Sequence, residues 1–209
     1  MSENVPSVSL ADARHPLFAG VDVGGTSIKL GIVDDNGSTV AFTRIDTNAT
    51  VEVEETLPRL ADSLKQLLSG EGLSFDDLAG IGLGTPGTMD IPAGLILEPP
   101  NLPGWRHYPV RDELQRLCDQ TLVAFSNDGA AAAYGEYWIG TGRQHESMVM
   151  LTLGTGVGGG IIVEGNAIDG AHSHGSECGH IIVDASDEAR ICSCGQPGHL
   201  EAYASAKAV

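Results

Sequence analysis

Residues 20–37 read GVDVGGTSIKLGIVDDNG. Apolar and polar positions alternate after Gly24 and Gly25, and DDNG supplies a second reversal before TVAFTRI. Such a segment is committed to short antiparallel strands joined by tight turns, so residues 19–46 predict a three-stranded meander. Two adjacent glycines at the first reversal leave the backbone bare, which suits a place where another group lies against its N–H groups. Beyond residue 50 the period changes. VEVEETLPRLADSLKQLLSG sets Leu57, Leu60, Ala61, Leu64, Leu67 and Leu68 on one helical face and ends at Gly70, with Pro58 fitting only a first turn. Ser74, with Asp77 three residues on, predicts a capped short helix ahead of the buried strand GIGLG. A strand GLILE, the loop EPPNLPGW, a helix VRDELQRLCDQ and a strand TLVAFSND running into a helix GAAAAYGEYW follow. The strand MVMLTLG, a glycine turn GTGVGGG, the strand IIVEG and a long His-, Gly- and Cys-rich loop complete the chain. Strands alternate with helices after an opening meander, so the class is α/β. The pattern of 20–33 returns weakly at 151–163, as in two related lobes.

At 209 residues and 42% hydrophobic content the chain can fill one large core or two small ones. Its net charge of -17 repels nucleic-acid phosphates and anionic lipids, and no Lys/Arg cluster offsets it, so no nucleic-acid or membrane partner is expected. A bound phosphate must then rest on backbone N–H groups, a metal ion or a few local side chains. Apolar runs such as MVML at 148–151 fall far short of the ~20 residues of a membrane span. The first residues lack the basic start and apolar stretch of a signal peptide. Residues 1–16 therefore read as a mobile tail and the protein as cytoplasmic. Cys118, Cys178, Cys192 and Cys194 include a pair one residue apart, a bunching that suggests metal more than disulfides.

GLGTPG at 82–87 and GTGVGG at 154–159 formally satisfy G-x-G-x-x-G. A dinucleotide site needs a helix directly after the glycines to hold the pyrophosphate, but Pro86 with TMDIPAG follows the first and the β-type GIIVEG the second. An NAD-dependent dehydrogenase is thereby disfavoured, and neither stretch ends in the GK[ST] of a Walker loop.

The DVGGTS turn resembles the first phosphate loop of the actin-like ATPase (ribonuclease H-like) sugar kinase fold. GIGLGTPGTMD, PPNLPGW, SNDGAAAAYGE, LTLGTGVGGGII, GECGH-like GSECGH and CSCGQPGHLE follow in the order found in the ROK (repressor, open reading frame, kinase) family, especially its glucokinase-like members. The resemblance covers residues 20–209. It implies a first α/β lobe over 17–125 and the start of a second over 126–209; members continue further, so the chain is expected to be an N-terminal portion. Asp22 would lie near Mg2+, and Gly24, Gly25, Thr26 and Lys29 near the phosphates of ATP, with Gly154, Thr155 and Gly156 as a second phosphate loop. Asp128 would be the general base and Asn127 would bond a neighbouring sugar hydroxyl. Taken without the motifs, that pair reads as a helix N-cap. Glu177, His180 and Glu201 are similar to residues that grip the far hydroxyls of the ring, Asn101 would close from the opposite wall, and the backbone at Gly87 would line the pocket. Trp105 reads as packing.

In the family a histidine and three cysteines hold a structural zinc; His180, Cys192 and Cys194 match three positions, and His199 stands at the fourth. A Cys2His2 set suits Zn2+. A metal-free loop, or a set completed by Cys178, is the alternative; otherwise Cys178 and Cys118 face the core, and His172 and His174 carry no role. The implied activity is ATP- and Mg2+-dependent phosphorylation of the 6-hydroxyl of a hexose, glucose first. A non-catalytic sugar-binding regulator, or a kinase for mannose, fructose or an N-acetylhexosamine, are the alternatives. The regulator would need a helix-turn-helix ahead of DVGGT, which the short acidic N-terminus cannot supply. Family members commonly form dimers, which leaves a homodimer open.

Overall fold

The computed structural model describes residues 7–208, which divide into two compact units between Asp128 and Gly129. In the first unit, the opening meander is β1 (Leu17–Val23), β2 (Ser27–Val33) and β3 (Thr39–Asp46), paired antiparallel. Helix α1 (Val53–Gly70) then crosses back to β4 (Leu78–Thr85), which lies parallel to β1. The two-residue strands β5 (Met89–Asp90) and β6 (Leu95–Ile96) pair as a small ribbon, and α2 (Val110–Leu117) returns the chain to β7 (Val123–Asn127), parallel to β4. The five-stranded sheet has the order β3-β2-β1-β4-β7.

The α1 stripe explains the packing. Leu57, Leu60, Ala61, Leu64 and Leu68 are buried as their spacing predicts, with Leu67 at the edge of the face. They meet a sheet core of Leu17, Val21, Ile28, Leu30, Ile81 and Leu83. Pro58 departs from expectation, because the helix starts at Val53 and puts it in the second turn. An interior proline costs ~3 kcal/mol or more, and burial of several leucines at ~2 kcal/mol each outweighs that. Ser74 and Asp77 form the expected reciprocal cap, Ser74 N donating to Asp77 Oδ2 at 2.8 Å, on a single 3-10 turn.

Residues 1–6 of the expected tail lie outside the described residues. The stretch from Ser7 to Pro16, expected to be mobile, is hydrogen-bonded to the β2–β3 hairpin instead: Val8 N donates to Thr39 O (2.8 Å) and Asp35 N to Arg14 O (2.9 Å). Its anchor is Asp34, a buried carboxylate that accepts from the N–H groups of Arg14, Asn36 and Ser38 at 2.9, 3.0 and 2.7 Å. A buried carboxylate must be paired with donors, and the chain before β1 supplies one. The bond from Arg14, above all, holds the Asp34 carboxyl below its usual range, against the opposing pull of burial.

In the second unit, α3 (Asp128–Trp138) continues from its first residue, Asp128, into Gly129 and onward. β8 (Met148–Leu153), β9 (Val157–Val163) and β10 (Asn166–Ala167) form an antiparallel sheet of order β10-β9-β8. The run GTGVGGG, expected as one turn, is only partly so, since Val157–Gly160 already belong to β9. The reason is packing: a Cβ at Gly160 would collide with Ala133, so the bare strand lets α3 sit against it. A long loop with one 3-10 turn at Cys178–His180 leads to α4 (Glu201–Ala204). The last helix is thus four residues long. Tyr203 clamps the loop: its hydroxyl donates to Asp184 Oδ2 (2.6 Å) and accepts from Arg190 N (2.8 Å), while the Arg190 guanidinium lies over its ring. Among the described residues, no helix is long and apolar enough to cross a membrane.

Truncating the fully buried Leu64 to alanine should lower unfolding free energy by about 2–5 kcal/mol in urea titrations, whereas Lys65→Ala on the exposed face should change it by less than about 0.5 kcal/mol.

Candidate active site

Parallel pairing brings the carboxyl ends of β1, β4 and β7 level. Lys29, Asp22, Gly84 and Ser126 form one row across four strands, and Thr85 with Asn127 the next. Asp128 follows at the start of α3. Ligands of open α/β sheets gather beyond the carboxyl ends of the strands, where no further sheet covers the polar groups. Lys29 Nζ lies 2.8 Å from Asp22 Oδ2, and both side chains are about half exposed. Exposed pairs of this kind add little stability, so the pair matters as adjacent charges of opposite sign at the strand end.

The turn between β1 and β2 is shaped from within. Gly24 N donates to Ser27 O (3.0 Å), and a Cβ on Gly24 would stand 3.0 Å from that oxygen. A Cβ on Gly25 would stand 3.2 Å from Asn101 Cβ, so the expected sugar-side residue Asn101 lies directly against the turn. The glycines therefore answer to internal close approach as well as to any phosphate. Thr26 is exposed on the turn. Thr47, which sequence reasoning did not single out, holds the loop from behind: its N–H donates to Thr26 O (3.0 Å) and its hydroxyl to Gly24 O (2.6 Å). Nothing in the sequence marks Thr47, because the contact depends on the chain's path after β3. Gly87 has φ +87° and its Cβ position lies 2.5 Å from Pro99 Cα, so it is required by conformation and packing together. Trp105 is fully buried, in keeping with a packing role.

In the second unit, Gly154 and Thr155 are exposed at the β8–β9 turn, and nothing would meet a Cβ on Gly154. Ala206 N donates to Gly154 O (2.8 Å) and Gly154 N to Gly156 O (3.0 Å). Glu177 Oε2 is 3.9 Å from His180 Nε2, so two residues expected to share one end of a sugar stand together. The Glu201 carboxylate is met by protein donors. Oε1 accepts from Ser193 Oγ (2.5 Å) and Cys192 Sγ (3.6 Å), and Oε2 from Val157 N (3.1 Å). Burial pushes its carboxyl up, but the bonds from Ser193, Val157 and Cys192 more than offset this and leave it below the usual range.

His180, Cys192, Cys194 and His199 converge as the sequence predicts, their ligand atoms all within 4.8 Å of one another. Nδ1 of His180 is 3.2 Å from Nδ1 of His199 and 3.8 Å from Cys192 Sγ, and Cys194 Sγ is 3.3 Å from His199 Nδ1. With Zn–N near 2.05 Å and Zn–S near 2.3 Å, tetrahedral geometry asks for roughly 3.3 Å between nitrogens and roughly 3.6 Å between nitrogen and sulfur. The donor set fits Zn2+, with His180 presenting Nδ1 to the group and Nε2 toward Glu177. Cys178 and Cys118 are buried elsewhere, and burial pushes the Cys118 thiol up to about 12.

The chain matches the ROK family over residues 18–209, and it belongs to that family. It is 40% identical over 192 residues to a glucokinase of Halalkalibacterium halodurans, covering 92% of this chain and 57% of that protein. Among solved structures it is similar to a ROK hexokinase from Thermus thermophilus, with a TM-score of 0.81 and 32% identity over 92% of this chain and 61% of the other. A ROK family glucokinase from Streptomyces griseus in complex with glucose and AMPPNP aligns with a TM-score of 0.74 and 33% identity, over 92% of this chain and 58% of that one. The chain thus spans somewhat more than half the length of these relatives. Their fold agrees with the mixed sheet and crossover helices described above.

Replacing Thr47 with valine removes the hydroxyl donor to Gly24 O while keeping shape. Unfolding free energy should fall by about 1 kcal/mol, and amide exchange at Gly24–Thr26 should accelerate in NMR exchange measurements.

Proposed function

We propose that the protein is an ATP-dependent hexokinase of the ROK type that phosphorylates the 6-hydroxyl of glucose. The observation that supports this most is the 40% identity to a glucokinase along 92% of the chain, joined to a carboxylate, Asp128, at the carboxyl end of a parallel strand. The relative seen with glucose and AMPPNP, which has the adenosine and triphosphate skeleton of ATP, supports glucose and ATP as the substrate pair.

In this reading Asp128 accepts the proton of the 6-hydroxyl as its oxygen forms a bond to the γ-phosphorus, and the bond from that phosphorus to the β,γ-bridging oxygen breaks to release ADP. Asn127 and Asn101 would donate to neighbouring sugar hydroxyls, while on their side of the ring the Glu177 carboxylate would accept from a hydroxyl and His180 would bond another. The backbone amides at Gly24 and Gly25, with Lys29, receive one set of phosphate oxygens, and Gly154, Thr155 and Gly156 another. Backbone donors suit a chain of net charge -17, which offers no broad positive field. Asp22 is a hard oxygen ligand at the strand end and would hold Mg2+ through water; the ion would neutralise charge developing on the phosphates. Zn2+ held by His180, Cys192, Cys194 and His199 would be structural and would fix the His180 ring, leaving Nε2 for a hydroxyl.

In the native gene product, Asp128→Asn should lower kcat by about 10²–10⁴-fold in a coupled ADP assay. Glucose affinity measured by calorimetry should stay within about threefold, since the amide keeps shape and hydrogen bonding. Retained turnover would remove Asp128 as the base. The zinc assignment has its own check: metal analysis after dialysis should find zinc retained stoichiometrically, with Cys192→Ser and His199→Ala each losing most of it.

A further inference from the structure

The carboxylate of Glu201 joins two segments that are far apart in sequence. Its Oε1 is bonded by Ser193 Oγ at 2.5 Å inside the cysteine knuckle; Cys192 Sγ, at 3.6 Å, donates there only as a free thiol and would give up that bond on ligating a metal, which leaves Ser193 as the link. Its Oε2 is bonded by Val157 N at 3.1 Å, at the end of the glycine turn. A Cβ on Gly156 would lie 2.5 Å from that same Oε2, so glycine at 156 is needed for the carboxylate to reach the turn. Ala206 N, five residues beyond Glu201, bonds Gly154 O at 2.8 Å and fixes the other side of the turn. One side chain therefore holds the knuckle with one oxygen and the turn with the other.

We propose that Glu201 is a positioning residue that sets the shape of the Gly154–Val157 turn according to the state of the knuckle, so that metal binding at Cys192 and its neighbours orders the turn through Ser193 and Glu201. The arrangement suits an anion site made from backbone N–H groups, because such a site is only as good as its turn is rigid. The link itself rests on the hydrogen bonds; only its trigger rests on the metal reading above.

Amide exchange at Val157, followed by NMR on the whole chain, tests it, with β2 amides as the control for an intact fold. Glu201→Ala should raise exchange at Val157 by ~10-fold, the loss of one well-formed bond. Glu201→Gln, which keeps an acceptor oxygen, should restore most of the protection. Ser193→Ala, which removes a contact only at the knuckle end, should also raise Val157 exchange severalfold. Zn2+ added alone should slow Val157 exchange in the wild type and fail to do so in Glu201→Ala. Two results would overturn the proposal: Val157 exchange in Ser193→Ala equal to wild type, or zinc slowing it equally in Glu201→Ala. If the wild type binds no zinc, the metal reading falls alone, and the Ser193→Ala and Glu201→Gln results still decide whether the link exists. Those two variants also carry the test should Glu201→Ala fail to fold.

Discussion

Parallel pairing of β4 with both β1 and β7 is the constraint on which the first unit depends. Parallel neighbours end at the same side of a sheet, so three stretches separated by dozens of residues deliver their last side chains to one edge. The antiparallel meander adds Lys29 to that edge by turning back at Gly24 and Gly25. Burial of the α1 stripe against this sheet keeps the edge rigid, so the side chains at the strand ends hold a fixed register.

The second unit reaches precision by other means. Its sheet is small, and its long loop is tied down by side chains: the Tyr203 clamp on Asp184 and Arg190, the convergence of His180, Cys192, Cys194 and His199, and the two-sided carboxylate of Glu201. Polar loops of this kind have little apolar area to bury, so hydrogen bonds take over the ordering that leucines provide in the first unit. Both units expose glycine turns, and in both the turn is shaped by a polar side chain behind it, Thr47 in one and Glu201 in the other.

Much of this was legible in the sequence for a physical reason: periodicity reports burial. The meander, the α1 face and the strand at GIGLG follow from alternation and from the leucine spacing. The convergence of the four metal-type residues followed from family motifs rather than spacing, since CxC alone names no partner. What stayed hidden depended on tertiary contact. The segment before β1 looked like a tail because its acids and prolines carry no period, yet Asp34 needs its N–H donor. Glycines 158–160 looked like a turn because only tertiary contact makes a bare strand useful: Thr152 crowds Gly158, Met150 O and Cys178 crowd Gly159, and α3 crowds Gly160. Thr47 and Ser193 had no signal, and the protein donors that meet Glu201 were hidden because sequence cannot show which donors a carboxylate will find.

The central proposal is chemical: the acidic group that follows β7 would serve phosphoryl transfer to a hexose. The most direct measurement is phosphorus and carbon NMR of the native gene product incubated with glucose, ATP and Mg2+. The account predicts ADP formed in step with a single glucose phosphate, its carbon–phosphorus coupling at the 6-position. Glucose bound without ADP release, or phosphate appearing on a different hydroxyl, would contradict it.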